Sequence, residues 1–234
     1  MTMYDRSPSA DFVVAADWDR GLSWLSHPQE TARRASHAVV GDGGGVWLFD
    51  PLDAAGIDDA VAELGSVAGV AVLSAYHARD AGAFAARHDV PVSIPRWLPR
   101  VADRVDAPVE RFDGRLGDSG FRVRELAPFP GWSEGVAHRP SDDTLYVPES
   151  LGTAPPYTVG DERLGLYLTQ RLLTPRFLLD YDPERVLVGH GEGVSREATA
   201  ALRDAVENGR RRLPRALREN GLSQVRAAAT AMLE

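Results

Sequence analysis

The ten residues LSAYHARDAG, Leu73 to Gly82, follow an apolar run and open a pattern of small residues at helical spacing. Loops that leave a strand and enter a helix carry much of the chemistry of α/β proteins, because a rigid scaffold positions their side chains. His77, Arg79 and Asp80 therefore stand where a functional site is expected. The preceding VAGVAVLSAY is apolar without alternation, which predicts a strand buried on both faces. Before it, in Ala54 to Leu64, Ile57, Val61 and Leu64 fall on one helical face. After it, DAGAFAARHD reads as a helix and VPVSIP as another strand. This alternation predicts a sheet covered by helices.

Further upstream, Ala38–Val40 and Val46–Phe49 are joined by the glycine-rich GDGGG, which predicts a hairpin whose turn takes positive φ. GDGGG lacks the lysine of a phosphate-binding loop. Downstream, FRVRELA, GVAHRP and TLYVP are short and alternating, as antiparallel strands are, and the strand RVLVGH ends in GEG. From Ser195, read as an N-cap, the chain turns helical, with Leu202, Val206, Leu213, Leu217, Val225 and Leu233 as an apolar stripe. The proline-containing stretches are too short to be linkers, so one domain over residues 1–234 is expected, with C-terminal helices from about 195.

The chain has no cysteine and no lysine, and its 26 basic residues are outnumbered by 34 acidic ones, for a net charge of -8. Disulfides, thiolate ligands and a cysteine nucleophile are excluded, so any metal would be held by His, Asp or Glu. The acidic, arginine-only balance suits a protein of concentrated salt and disfavours nonspecific nucleic-acid binding. The one basic cluster, GRRRLPRALR, reads as a solvated helix face. With no apolar run near the roughly 20 residues that cross a bilayer and no signal-like N-terminus, the expected location is the cytoplasm, with no membrane partner. The partner is an unspecified small molecule or protein, and the C-terminal stripe leaves a homodimer open.

The order of these signals resembles the metallo-β-lactamase fold. In that family a hairpin ends in Asp-Pro, a helix follows, and the next strand runs into HxHxDH and a glycine. A later PGH-T-x-G segment, a strand ending in Gly-Asp and a last strand ending in Gly-His-Gly complete the site. The matching pieces here are FDPLD (Phe49 to Asp53), SAYHARDAG, FPGWSEG (Phe129 to Gly135), LYVPES (Leu145 to Ser150) and LVGHGEG (Leu187 to Gly193). They keep their order from about His37 to Gly193. The resemblance implies an α/β protein with a four-layer αββα sandwich. It also implies hydrolysis by one or two zinc or iron ions that polarise the substrate and activate a water.

The departures from the motif decide the functional expectation. Laid over the family pattern, the first histidine falls on Ala75, the second on His77, the aspartate on Arg79 and the third histidine on Asp80. The later histidine falls on Trp132, the bridging aspartate on Glu149 and the last histidine on His190. A catalytic zinc wants three protein ligands and one open position. Only Asp80, Glu149 and His190 make such a set on paper. Arg79 stands beside it, and two unit charges ~4 Å apart at an effective dielectric of ~20 repel by about 4 kcal/mol, a divalent ion by about twice that.

The expectation is a degenerate metal site with no cofactor, whose pocket of His77, Arg79, Asp80, Trp132, Glu149 and His190 has a binding or structural role. Arg79 is expected to pair with Glu149 and Asp80, and Trp132 to pack against Ala75. The alternative is a mononuclear hydrolase with zinc, iron or manganese on Asp80, Glu149 and His190. A blander reading leaves Arg79 in solvent and Asp80 as an ordinary charge of the first helical turn. No G-x-S-x-G elbow supports a serine hydrolase. His138 reads as structural, and His37 is ambiguous because it precedes the hairpin.

Overall fold

Residues 2–221 are described by a computed structural model, in which two β-sheets face each other and helices cover both outer sides. The first sheet runs in sequence order: β1 (Val13–Trp18), β2 (Gly21–Leu25), β3 (Ala35–Val40), β4 (Val46–Phe49), β5 (Val67–Ala71), β6 (Val92–Pro95) and β7 (Val109–Phe112). β1 to β4 pair antiparallel, and β4 to β7 pair parallel. Parallel neighbours need crossovers, and α1 (Ile57–Leu64), α2 (Ala81–His88) and the short α3 (Pro99–Ala102) supply them.

The second sheet contains β8 (Arg122–Leu126), β9 (Glu134–Arg139) and β10 (Thr144–Val147), with β11 (Leu151–Gly152) and β12 (Gly165–Leu166) as a separate ribbon and β13 (Arg185–Val188) returning to the sheet. β8, β9 and β10 pair antiparallel, while β13 lies parallel to β10. α4 (Ala198–Asn208) follows.

Period-two alternation sorts the side chains into layers. Trp47 and Phe49 of β4 meet Ala137, Tyr146 and Leu187 between the sheets. Their neighbours Val46 and Leu48 turn outward to Ile57, Val61 and Phe84 of α1 and α2. On the other side Leu145, Val147, Val186 and Val188 pack with Leu202 and Val206 of α4. The fold is thus α/β with helix, sheet, sheet and helix layers.

Several local expectations change. α1 begins at Ile57, behind Gly56, rather than at Ala54. Ser195 does not cap α4; its N-cap is Glu197, which has φ 51° and makes no side-chain cap bond. The C-terminal stripe breaks at Leu217, which is exposed while its neighbour Ala216 is buried. Val225 and Leu233 lie outside the described residues. No helix among the described residues is long and apolar enough to cross a membrane.

Candidate functional site

Four strands deliver the site. β4, β5, β10 and β13 run on at their C-terminal ends into Asp50, the Ser74–His77 turn, Glu149 and His190. Asp50 is fully buried and has φ 45°, a left-handed conformation that costs a non-glycine residue about 1–3 kcal/mol and persists only where its surroundings demand it. Its Oδ1 accepts the Leu73 N–H at 2.9 Å, and its Oδ2 accepts the Tyr146 hydroxyl and lies 3.1 Å from His77 Nδ1. The carboxylate thereby places a proton on Nδ1 and aims Nε2 away from itself.

His77 Nε2 lies 2.7 Å from Glu149 Oε1, and His190 Nε2 lies 3.4 Å from Glu149 Oε2. His190 Nδ1 donates to the Ala32 carbonyl at 3.0 Å, and the Ser74 hydroxyl donates to Glu149 Oε1 at 2.9 Å. Both imidazoles therefore turn Nε2 toward one carboxylate. Ligand atoms of His77, Glu149 and His190, all buried, lie within 4.8 Å of one another. Glycine permits the approach: a Cβ at Gly189 would meet the Pro148 carbonyl at 2.3 Å and His77 Cε1 at 2.6 Å.

Burial drives the acidities in different directions. Burial and Arg79 act to lower the His77 pKa, but Glu149 and Asp50 outweigh them and the net shift is upward. His190 is shifted downward, chiefly by burial. Burial alone would raise Glu149, yet His77 and His190 hold it well below the usual carboxylate range. Beneath it, Glu134 is buried and accepts the backbone N–H groups of Glu149 at 2.7 Å and Ser150 at 3.1 Å, the Trp132 indole N–H at 3.0 Å and the Ser150 hydroxyl. Burial pushes Glu134 up to about 7, and the Glu149 charge adds to that.

Arg79 has φ 40°. Its guanidinium donates to the carbonyls of Ala35 at 2.5 Å, Asp50 at 2.8 Å and Gly189 at 3.1 Å, and NH2 lies 3.2 Å from His77 Nε2. The expected pairing of Arg79 with Glu149 and Asp80 is therefore corrected: three backbone carbonyls hold it. Asp80 turns the other way and accepts the Asp53 N–H at 2.7 Å. The left-handed turn at Arg79 parts the two consecutive side chains, so His77, and not Asp80, joins Glu149 and His190.

Trp132 is buried among the rings of Tyr76, Phe129 and Tyr167, at centroid distances of 6.2, 5.7 and 5.1 Å. Those rings and its bond to Glu134 place the indole, while Ala75 packs against the core beside α2. Tyr167 in turn meets Tyr157, whose ring stacks on His190 at 5.4 Å. His37 stays out of the site: its Nδ1 faces the Ser23 hydroxyl at 2.7 Å and its Nε2 the Val188 carbonyl at 3.0 Å. His138 lies beside Asp143 and Tyr181.

Asp50, Glu134, Tyr157 and Tyr167 were not singled out in the sequence. Asp50 had a signal, the Asp-Pro pair at a strand end. The two tyrosines had none.

No protein-family model matches the chain, and no curated protein matches it. Solved structures do. The chain is similar to a metallo-β-lactamase from Pontibacter korlensis, with 12% identity, coverage of 85% of this chain and 100% of that one, and a TM-score of 0.59. It is also similar to a diflavin flavoprotein fragment from a Nostoc species, with 12% identity, 87% and 98% coverage and a TM-score of 0.61. A third structure, determined in a di-iron-bound form, shares 19% identity over 73% of this chain and 93% of its own, with a TM-score of 0.54. The chain has the metallo-β-lactamase fold.

That fold poses the question of a metal. His77, Glu149 and His190 offer three donors that could hold an ion, but His77 Nε2 here directs its N–H at Glu149 Oε1, 2.7 Å away, and the Arg79 guanidinium, fastened by three carbonyls, stands 3.2 Å from the same nitrogen. An ion there would have to displace that proton and stand beside a fixed positive charge, which repels it. The donor set suits an ion, and the guanidinium beside it opposes one.

Proposed function

We propose that this chain is a binding protein on the metallo-β-lactamase fold, with a metal-independent pocket in place of a two-metal hydrolase site. The carrying observation is the Arg79 guanidinium, anchored by the carbonyls of Ala35, Asp50 and Gly189 with NH2 3.2 Å from His77 Nε2. Arg79 and a protonated His77 balance the two carboxylates of Asp50 and Glu149. Such balance matters because an unpaired buried charge costs several kcal/mol, by rough estimate, even after relaxation. The pocket is thus charge-complete without an ion.

A second reading has one observation in its favour. Both Nε2 atoms converge on Glu149, as three ligands of one zinc, iron or manganese ion would. A mononuclear hydrolase of this kind would use His77, Glu149 and His190 and would need Arg79 to withdraw. Metal content after purification without chelator, together with calorimetric zinc titration, separates the two. Wild type is expected to hold well under one equivalent of metal. Arg79→Ala, with the fixed positive charge removed, is expected to bind one zinc at least tenfold more tightly than wild type. Stoichiometric metal in wild type that disappears in His190→Ala would overturn the proposal.

A further inference from the structure

β3 pairs antiparallel with β4, so the start of β3 lies at the end of β4, beside the site. The segment Glu30–Ala35, which leads into β3, therefore rims His190, and backbone bonds join the two. The Ala35 N–H donates to the Gly189 carbonyl at 2.9 Å and the Gly191 N–H to the Arg33 carbonyl at 2.7 Å, on either side of the His190 bond to Ala32. Onto the same rim the chain lays its residues 2–5. The Thr31 N–H donates to the Thr2 carbonyl at 2.9 Å, the Ala32 N–H to the Met3 carbonyl at 3.1 Å and the Asp5 N–H to Glu30 Oε2 at 2.9 Å. Arg34 donates to the Asp5 carbonyl and holds its guanidinium 5.5 Å from the centroid of the Tyr4 ring.

We propose that residues 2–5 are a strap over the rim of the His77, Glu149 and His190 site, and that a ligand reaches the site only when the strap lifts about residues 6–8. The inference concerns access, and it holds for either reading of what the pocket takes. Arg6, Ser7 and Pro8 are exposed, whereas Ser9 is fastened to the body: its hydroxyl donates to the Ser26 carbonyl, and its own carbonyl accepts the Ala55 N–H at 3.1 Å. The hinge is thus free on one side and fixed on the other. Among the described residues, the three apolar cores include none of residues 2–5. A segment tied down by polar contacts, outside the core, opens at low cost while the rest stays folded. Tyr4 nonetheless faces inward. It is half-buried, and the charge of Glu149 adds to burial, the larger cause, in raising its pKa.

Two measurements on the full chain, stripped with chelator so that no ion shields the histidines, provide the test. In native-state hydrogen exchange of wild type, the Asp5, Thr31 and Ala32 amides should exchange at least about tenfold faster than those of Ala35 and Gly191, which bond the rim to the body. In mass-spectrometric mapping of diethyl pyrocarbonate labelling, His190 should react slowly in wild type. It should react at least about fivefold faster in Tyr4→Ala, which removes the ring, and in Asp5→Pro, which removes the N–H given to Glu30. Tyr4→Phe, which keeps the ring, should stay within about twofold of wild type. His37, fully buried between the sheets, reports unfolding and should stay unlabelled throughout. Strap amides that exchange no faster than Ala35 and Gly191, or His190 labelling unchanged in both loosened variants, would overturn the strap. Labelling that rises at His37 as much as at His190 in both would show residues 2–5 to be part of the folded body, and would overturn it too.

Discussion

His37 shows how a single buried group sets a pH limit. It lies between the sheets with its ring edge-on to Tyr146 at 5.0 Å, and its two nitrogens are satisfied as a neutral ring: Nε2–H donates to the Val188 carbonyl and Nδ1 accepts from Ser23. A second proton would find no acceptor unless Ser23 turned. Burial accordingly pushes its pKa from 6.5 down to about 3. Because the folded value lies below the unfolded one, the unfolded chain takes up the proton first as the pH falls. Stability is then lost from about pH 6.5 toward pH 3, at up to ~1.4 kcal/mol per pH unit for this one group. Urea unfolding between pH 7 and pH 4 should show wild type losing ~2–3 kcal/mol more than His37→Gln over that range. Parallel curves for the two proteins would remove His37 as the cause. The sequence left His37 ambiguous because strand pairing with Ser23, and not spacing along the chain, supplies its partner. His77, Glu149 and His190 were legible through their motif positions. The direction of Asp80 was not, since it depends on the backbone turn at Arg79.

Elements with a strong apolar period were readable, and those held by polar contacts were not. The β3–β4 hairpin, α1, α2, β5 and β6 follow from alternation and helical spacing, which report burial directly. β1 gave no such signal because Val13 and Val14 are both exposed on an edge strand. Residues 151–181, which carry Tyr157 and Tyr167, form a two-residue ribbon and short 3-10 turns. An ion pair fixes this segment: Arg171 donates to both oxygens of Glu162 at 2.9 and 2.7 Å and to the Tyr157 carbonyl at 2.7 Å, with both charged side chains fully buried. Removing Arg171 leaves the buried Glu162 carboxylate largely stranded, with only the Val159 N–H at 2.9 Å and the more distant Arg212 guanidinium at 3.4 Å. Arg171→Met should cost ~3–5 kcal/mol in chemical denaturation, and adding Glu162→Leu should restore part of that because the stranded carboxylate is gone. A single-variant cost below ~1 kcal/mol would mean that water already screens the pair.

At the scale of the whole molecule, the layer order was legible because each half of the chain contributes strands whose second apolar face needs a helix cover. The surface carries a different kind of information. All 26 basic residues are arginine, and the net charge is -8. Salt has two opposing effects on such a surface. It weakens exposed pairs such as Arg96–Asp113 and Arg203–Asp182, and it relieves the repulsion among the excess carboxylates. Exposed pairs contribute little individually, so relief of the net charge should win and the melting temperature should rise with potassium chloride. The shape of the rise identifies its origin. The screening length falls from about 30 Å at 0.01 M to about 10 Å at 0.1 M and about 3 Å at 1 M, so simple charge relief is largely complete by a few tenths molar. A surface adapted to concentrated salt should keep gaining stability into the molar range, beyond what screening accounts for. Thermal unfolding from about 0.01 M to about 2 M potassium chloride distinguishes the cases. A rise that stops near 0.3 M would leave acidic self-repulsion but remove the adaptation, and a melting temperature unchanged throughout would remove both.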